Sequence, residues 1–308
     1  MILAAFEPRG PVADDIAELW WLMLVLGVAV FALFGWALVH AIRNGPESAG
    51  PDPEGPGATR WIVAGGVVLP TVVVLGVLVA TVDTMRTIPD SGPDDALVVD
   101  VVGHRWWWSF EYPEAGVTTA NELHLPVGRP VELRLRSDDV IHSFWVPSLA
   151  GKTDALPDRV NTMVLEADEA GVLDGACAEF CGLQHAKHRL LVVAHPPEEF
   201  QAWLGRQAEP APEPASDAAR QGRDRFVAAG CGSCHAVAGT EAAGDAGPDL
   251  THVASRETLG AGALGNTRDE LVGWVANPHD AKSGVEMPAA PVDRAGVEAI
   301  VDYLETLR

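Results

Sequence analysis

Basic residues are scarce in this chain: 21 lysines and arginines stand against 43 aspartates and glutamates, a formal net charge of −22. So little positive charge leaves no footprint for a phosphate backbone, which excludes nucleic acid as a partner, and the acidic surface suits a basic protein instead. Cysteine is scarcer still. Four are present in 308 residues, set as two close pairs, Cys177/Cys181 and Cys231/Cys234. That count and spacing exclude a disulfide framework, and loops so short suit a metal or an attached cofactor.

Two stretches lack charge altogether, Leu19 to Val39 and Trp61 to Val82. At about 1.5 Å rise per residue each covers roughly the 30 Å hydrocarbon core of a bilayer, and neither has a polar face, so both read as membrane-spanning helices, 19–40 and 61–82. Trp20, Trp21, Trp36 and Trp61 lie near their ends, where indole rings favour the interface. A cleavable signal peptide does not fit the first run, which is too long and follows the acidic "ADDIAEL". The hairpin (19–83) puts both chain ends on one side, with residues 1–18 as a short segment there. The connecting loop holds Arg43 and Arg60 but also Glu47, Asp52 and Glu54, so charge alone does not orient it.

After the hairpin the pattern turns to short alternating segments, "LVVDVV", "VELRLR", "TMVLEA" and "RLLVVA", with Val131, Leu133 and Leu135 on one face. Separated by turn residues, these predict an antiparallel sandwich or barrel over 95–206, closed by a short helix in "PPEEFQAWLGRQ". The Pro/Ala/Glu tract at 207–217 reads as a semi-rigid linker. Beyond it, 218–308 reads as a small all-helical domain. Ser216 and Thr267 are candidate caps, Gly230 a helix stop, and Val297, Ile300, Val301, Leu304 and Leu307 recur at helical spacing.

Cys231, Cys234 and His235 form "CGSCH" at the end of that domain's first helix. One turn then offers two thiols to the vinyl groups of a haem and an imidazole to its iron. Met287, in "GVEMPAA", is the expected sixth ligand, with His252 and His279 as rivals. Residues 216–308 resemble class I cytochromes c, through CxxCH, the "GPDL" at Gly247 to Leu250, and Met287 followed by Pro288. The resemblance implies an electron carrier whose haem is attached outside the cytoplasm, which places the loop between the helices inside and all that follows the hairpin outside, in a bacterial plasma (inner) membrane.

"CAEFCGLQHAKH", Cys177 to His188, holds the other cysteine pair. A single electron-transfer copper needs one cysteine, and zinc accepts two but supplies no redox step. Two thiolates can instead bridge two coppers, each completed by one histidine, with His185 in the loop and His142 from "DDVIHSFWVP". With "GHRWWWSFEY" and "KTDALPDR" added, nearly the whole chain resembles subunit II of haem-copper cytochrome c oxidases, in the variant with a fused cytochrome c domain. The resemblance implies a membrane-anchored, multidomain protein with a cupredoxin-like antiparallel β-barrel carrying the dicopper centre CuA. In it Cys177 and Cys181 bridge, His142 and His185 are terminal ligands, and the main-chain carbonyl of Glu179 is a weak one. The Glu179 side chain would reach a magnesium ion at the boundary with subunit I, and Trp106 would admit electrons. It further implies subunits I and III as partners, cytochrome c or a quinol:cytochrome c oxidoreductase as donor, and oxygen reduction with proton translocation.

The sequence departs from that pattern twice. His188 stands where the family has a methionine ligand, and it is read here as a ligand. No glutamate stands near the start of the second helix, where the family often has one for proton uptake. A CuA-bearing subunit of a nitric oxide reductase and a membrane-anchored electron or copper carrier are the alternative readings.

Overall fold

A computed structural model describes residues 7–44 and 56–308; the inner loop expected between the helices lies largely outside the described residues, as does the start of the N-terminal segment. Two compact units form, residues 14–88 and the remainder.

In the first unit, helix α1 (Pro11–Asn44) is answered by α2 (Pro56–Val63) and α3 (Leu69–Thr87), joined by a π-helical turn over Ala64–Val68. Pro70 explains the wide turn: it has no N–H, and its ring excludes the carbonyl four residues back, that of Gly66. The apolar windows within Pro11–Asn44 and Thr59–Thr87 are long enough to cross a membrane and are wholly unburied by protein. Leucines and valines left bare along a full helix need lipid around them.

The second unit begins as a sandwich of two five-stranded sheets. Strands β1 (Leu97–His104), β2 (Trp107–Tyr112), β3 (Val117–Ala120), β5 (Val131–Ser137) and β8 (Asn161–Leu165) make one, in the order β3-β2-β1-β5-β8. Strands β4 (Glu122–Pro126), β6 (His142–Trp145), β7 (Thr153–Ala155), β9 (Gly171–Cys177) and β10 (Arg189–His195) make the other, in the order β4-β10-β9-β6-β7. Alternation in β5 sends Val131, Leu133 and Leu135 into the core, fully buried as the sequence predicts. The sheets are not purely antiparallel: β1 runs parallel to β5, and β4 to β10. Alternation reports which face is buried and carries no strand direction, so the sequence does not show this. Arg9 holds the N-terminal segment to the sandwich, its amide donating to Ser148 and its carbonyl accepting from Asp168.

Helix α4 (Pro197–Gln207) caps the sandwich through Phe200 and Trp203. The tract after it is pinned along the helical domain. Ala211 N donates to Ala238, His252 Nε2 to the Glu209 carbonyl, and Arg223 pairs with Glu213.

The helical domain runs through α5 (Asp217–Ala228), a β-bridge pair β11 (Thr258–Leu259) and β12 (Leu264–Gly265), α6 (Arg268–Ala276), α7 (Pro278–Ala281) and α8 (Arg294–Leu304). Ser216 and Thr267 accept from the amides of Ala219 and Glu270, and Gly230 stops the first helix at φ 77°. In α8, Val297, Ile300, Val301 and Leu304 pack against Phe226 and Leu271. Asp293 caps that helix, accepting from Gly296 N at 2.9 Å. Asp293→Ala is expected to cost about 1 kcal/mol, so α8 amides should exchange roughly fivefold faster with deuterium at unchanged haem content; unaltered exchange would show that the packed face alone fixes the helix.

Candidate metal and haem sites

The metal site forms where β6, the end of β9 and the loop before β10 converge. His142, Cys177, Cys181 and His188 are all buried, and their ligand atoms lie within 4.8 Å of one another. The two sulfurs are 3.8 Å apart. His142 Nδ1 lies 3.9 Å from Cys177 Sγ, while His185 Nδ1 and His188 Nδ1 each lie 3.6 Å from Cys181 Sγ. The Glu179 carbonyl is 3.2 Å from Cys177 Sγ. Every predicted copper residue is therefore brought together, His188 included. The Glu179 side chain is apart from them, exposed and 3.8 Å from Lys152 Nζ.

Each imidazole is aimed by its surroundings. His142 donates Nε2–H to Asp139 at 2.8 Å, which leaves the Nδ1 lone pair facing sulfur. Burial alone would raise the Asp139 carboxyl, but hydrogen bonds from His142 and from the amides of Val140 and Arg105 hold it at about 2. The carboxylate is thus a fixed anion behind the ligand. A Cβ on Gly103 would fall 2.8 Å from His142 Cδ2, so glycine is required for the ring to fit. His188 is held by packing instead, stacked on Trp108 with centroids 4.8 Å apart. Burial drives its pKa down to about 4, so the ring is neutral, and its Nε2 has no hydrogen-bond partner. A buried imidazole nitrogen left unpaired is costly. The ring's other nitrogen, Nδ1, faces sulfur. Two thiolates, three imidazoles and a carbonyl form a donor set suited to copper, whereas a closed tetrahedral zinc site would take four.

The second site is a cavity of about 710 Å³ lined by Cys231, Cys234, His235, Leu250 and Met287. His235 Nδ1–H donates to the Pro248 carbonyl at 2.7 Å, leaving Nε2 as the free lone pair, and burial lowers its pKa so that the ring stays neutral. The "GPDL" stretch serves the same ring. Gly247 lies so close that a Cβ there would be 2.6 Å from His235 Cε1, and Pro248 supplies the carbonyl. Cysteines and histidine on one wall and a thioether in the lining fit a covalently held haem. His252 and His279 are not in the lining; the first holds the linker and the second accepts from Gly284 N. Arg256 was not singled out by the sequence. Its guanidinium is in the cavity wall, bonded to the Asp249 carbonyl, with Nε buried and unpartnered. It suits a carboxylate of the group the cavity holds.

The sandwich closes this cavity with Arg105, Trp106, Trp107 and Asn121. Trp106 is 9% exposed, and its Nε1–H donates to the Cys181 carbonyl at 2.9 Å. One indole therefore touches both sites.

Residues 115–195 match the family described as "Cytochrome C oxidase subunit II, periplasmic domain", and residues 219–308 match "Cytochrome c". Cytochrome c oxidase subunit 2 of Alkalihalophilus pseudofirmus is 35% identical over 99% of this chain and 91% of that protein. The chain belongs to the cytochrome c oxidase subunit II family. The Bacillus subtilis subunit is 29% identical over 99% of this chain and 92% of its own length. The solved periplasmic domain of cytochrome oxidase subunit II from Bradyrhizobium japonicum is 27% identical, with a TM-score of 0.36, covering 39% of this chain and 96% of that one. As a member of this family with a cytochrome c domain, the chain is part of a haem-copper oxidoreductase, and its two apolar helices fit a membrane-anchored subunit.

Gly247→Ala should displace the His235 ring and lower the low-spin haem absorbance per chain. Absorbance equal to the parent's would show that the ring can move aside.

Proposed function

We propose that this subunit II takes electrons at a haem in the Cys231–His235 cavity and hands them to a dicopper centre held by Cys177, Cys181, His142, His185 and His188, for delivery to subunit I. Carrying that reading is the position of Trp106, in the wall of the haem cavity and hydrogen-bonded to the backbone of a sulfur ligand. Haem and the copper pair supply one-electron chemistry when bound; the chain supplies placement and tuning.

The residues divide those tasks. Cys231 and Cys234 would anchor the haem, and His235, oriented by Pro248, and Met287 would supply its iron with a nitrogen and a thioether. Cys177 and Cys181 would hold the copper through their sulfurs, and Asp139 keeps His142 in the tautomer that exposes Nδ1. Glu179 offers its carbonyl, and its exposed carboxylate, now 3.8 Å from Lys152 Nζ, would meet magnesium at the edge of subunit I. Trp106, Phe144 and Trp108 keep water from the pair. His188 replaces a thioether with an imidazole, a harder donor that favours the oxidised state.

The haem and copper domains lie outside the cytoplasm in this reading, on the side where Arg9 ties the N-terminal segment to the sandwich. Because the helical domain covers Trp106, an external donor meets the haem domain first. The acidic chain suits a basic cytochrome c there, or direct handover from a quinol:cytochrome c oxidoreductase. Oxygen reduction and proton translocation would follow in subunit I, with subunit III alongside. Turnover of nitric oxide in place of oxygen by the purified complex would favour the reductase alternative.

Metal analysis and electron paramagnetic resonance of the full chain test the assignment. Two coppers sharing one unpaired electron beside one low-spin haem are expected; zinc, or one copper, would overturn it. His188→Met should raise the copper centre's potential and alter its near-infrared band. An unchanged spectrum and potential would remove His188 from the ligand set.

A further inference from the structure

The copper and haem domains exchange two buried ionisable groups, Glu122, which lines neither cofactor site, and Lys282, which stands in the wall of the haem cavity. Glu122, on β4 of the sandwich, is 1% exposed. Its Oε1 accepts from the amides of Glu257 and Thr258 of the helical domain at 2.7 and 2.9 Å. Lys282, on the loop leading to Met287, is also 1% exposed. Its Nζ donates at 2.9 Å to the Trp106 carbonyl of the sandwich and at 2.9 Å to the Gly260 carbonyl. Each domain thus sends one chargeable side chain into the other and binds it with backbone.

Burying such groups is costly unless each finds its hydrogen-bond partners, so their value is in selecting the one arrangement that supplies them. If the domains docked in another orientation, Glu122 or Lys282 would be buried without its partners. Apolar contact supplies the cohesion: Val285 packs against the sandwich core, and Leu183 sits so close to Gly284 that a Cβ there would be 2.7 Å from its Cδ2. The copper loop reaches the same segment directly, through Gln184 Nε2 to the Ser283 carbonyl at 2.6 Å and Lys187 Nζ to that of Ala281.

We propose that Glu122 and Lys282 are positioning residues, a reciprocal clasp that fixes the haem domain on Trp106 in a single orientation. Electrons then cross within one rigid body, in contrast to a domain swinging on its linker, the default for domains joined by small interfaces. The clasp rests on the proposed function for its purpose, and on the hydrogen bonds alone for its existence.

The test uses the full-length, cofactor-loaded chain in detergent, with Glu122→Gln, Lys282→Met and the double variant. Hydrogen exchange at Glu257 and Thr258 should be protected in the parent and at least tenfold faster in the double variant, at unchanged haem and copper content per chain. After flash reduction of the haem, its one-electron oxidation with matching copper reduction should be a single phase in the parent. It should become slower, multiphasic and viscosity-dependent in the double variant. Unprotected amides in the parent, or exchange and kinetics unaltered in the double variant, would overturn the clasp. If the double variant does not accumulate, Lys282→Gln alone is put to the same two measurements. A parent with protected amides but no electron transfer to copper would instead refute the functional reading and leave the clasp standing.

Discussion

Trp106 donates its indole N–H to the Cys181 carbonyl, and its own carbonyl accepts from Lys282, so a single residue is bonded to the copper loop on one side and to the haem domain on the other. The placement of both sites depends on that pair of bonds. The indole packs closely on Gly182, whose φ of 110° suits glycine and where a Cβ would stand 3.2 Å from the ring. The same neighbourhood supplies Arg105, whose amide is bonded to Asp139, the carboxylate behind His142. A shift of this short segment would therefore disturb a copper ligand, the cavity wall and the domain contact together.

His188 shows how packing substitutes for hydrogen bonding in a metal site. His142 has its carboxylate partner, whereas His188 has an aromatic stack on Trp108 and an edge contact with His142, centroids 4.9 Å apart. Stacking restricts the ring's rotation without adding charge, and burial keeps it neutral. A carboxylate partner would raise its basicity and strengthen it as a donor. His188 Nε2 is left without a partner, so in the proposed ligand set it would be a weaker donor than His142.

The sequence made much of this legible, for particular reasons. Close spacing exposed Cys177, Cys181, Cys231, Cys234 and His235, and the resemblance carried His142 across 35 positions, a join no local pattern could make. Alternation found β1, β5, β8 and β10 but not β2 or β6: in β2 the buried Trp108, Phe110 and Tyr112 do alternate, but Trp107 puts another aromatic on the opposite face, and in the short β6 three consecutive residues are buried. The Pro-rich tract read as a spacer, yet its backbone bonds fasten it to the helical domain, because composition reports stiffness and not what lies alongside. Glu122, Arg256 and Lys282 gave no signal. Charged residues are mostly solvated, and only the fold reveals that these three are not.

The account turns on direct passage between the two sites through the Trp106 contact, in a chain carrying both cofactors. Time-resolved absorption after flash reduction of the haem, on the full-length subunit with no external donor, measures it most directly. Haem oxidation and copper reduction are expected to proceed with one common, concentration-independent rate. A haem that stays reduced beside oxidised copper, or a rate that rises with protein concentration, would contradict it.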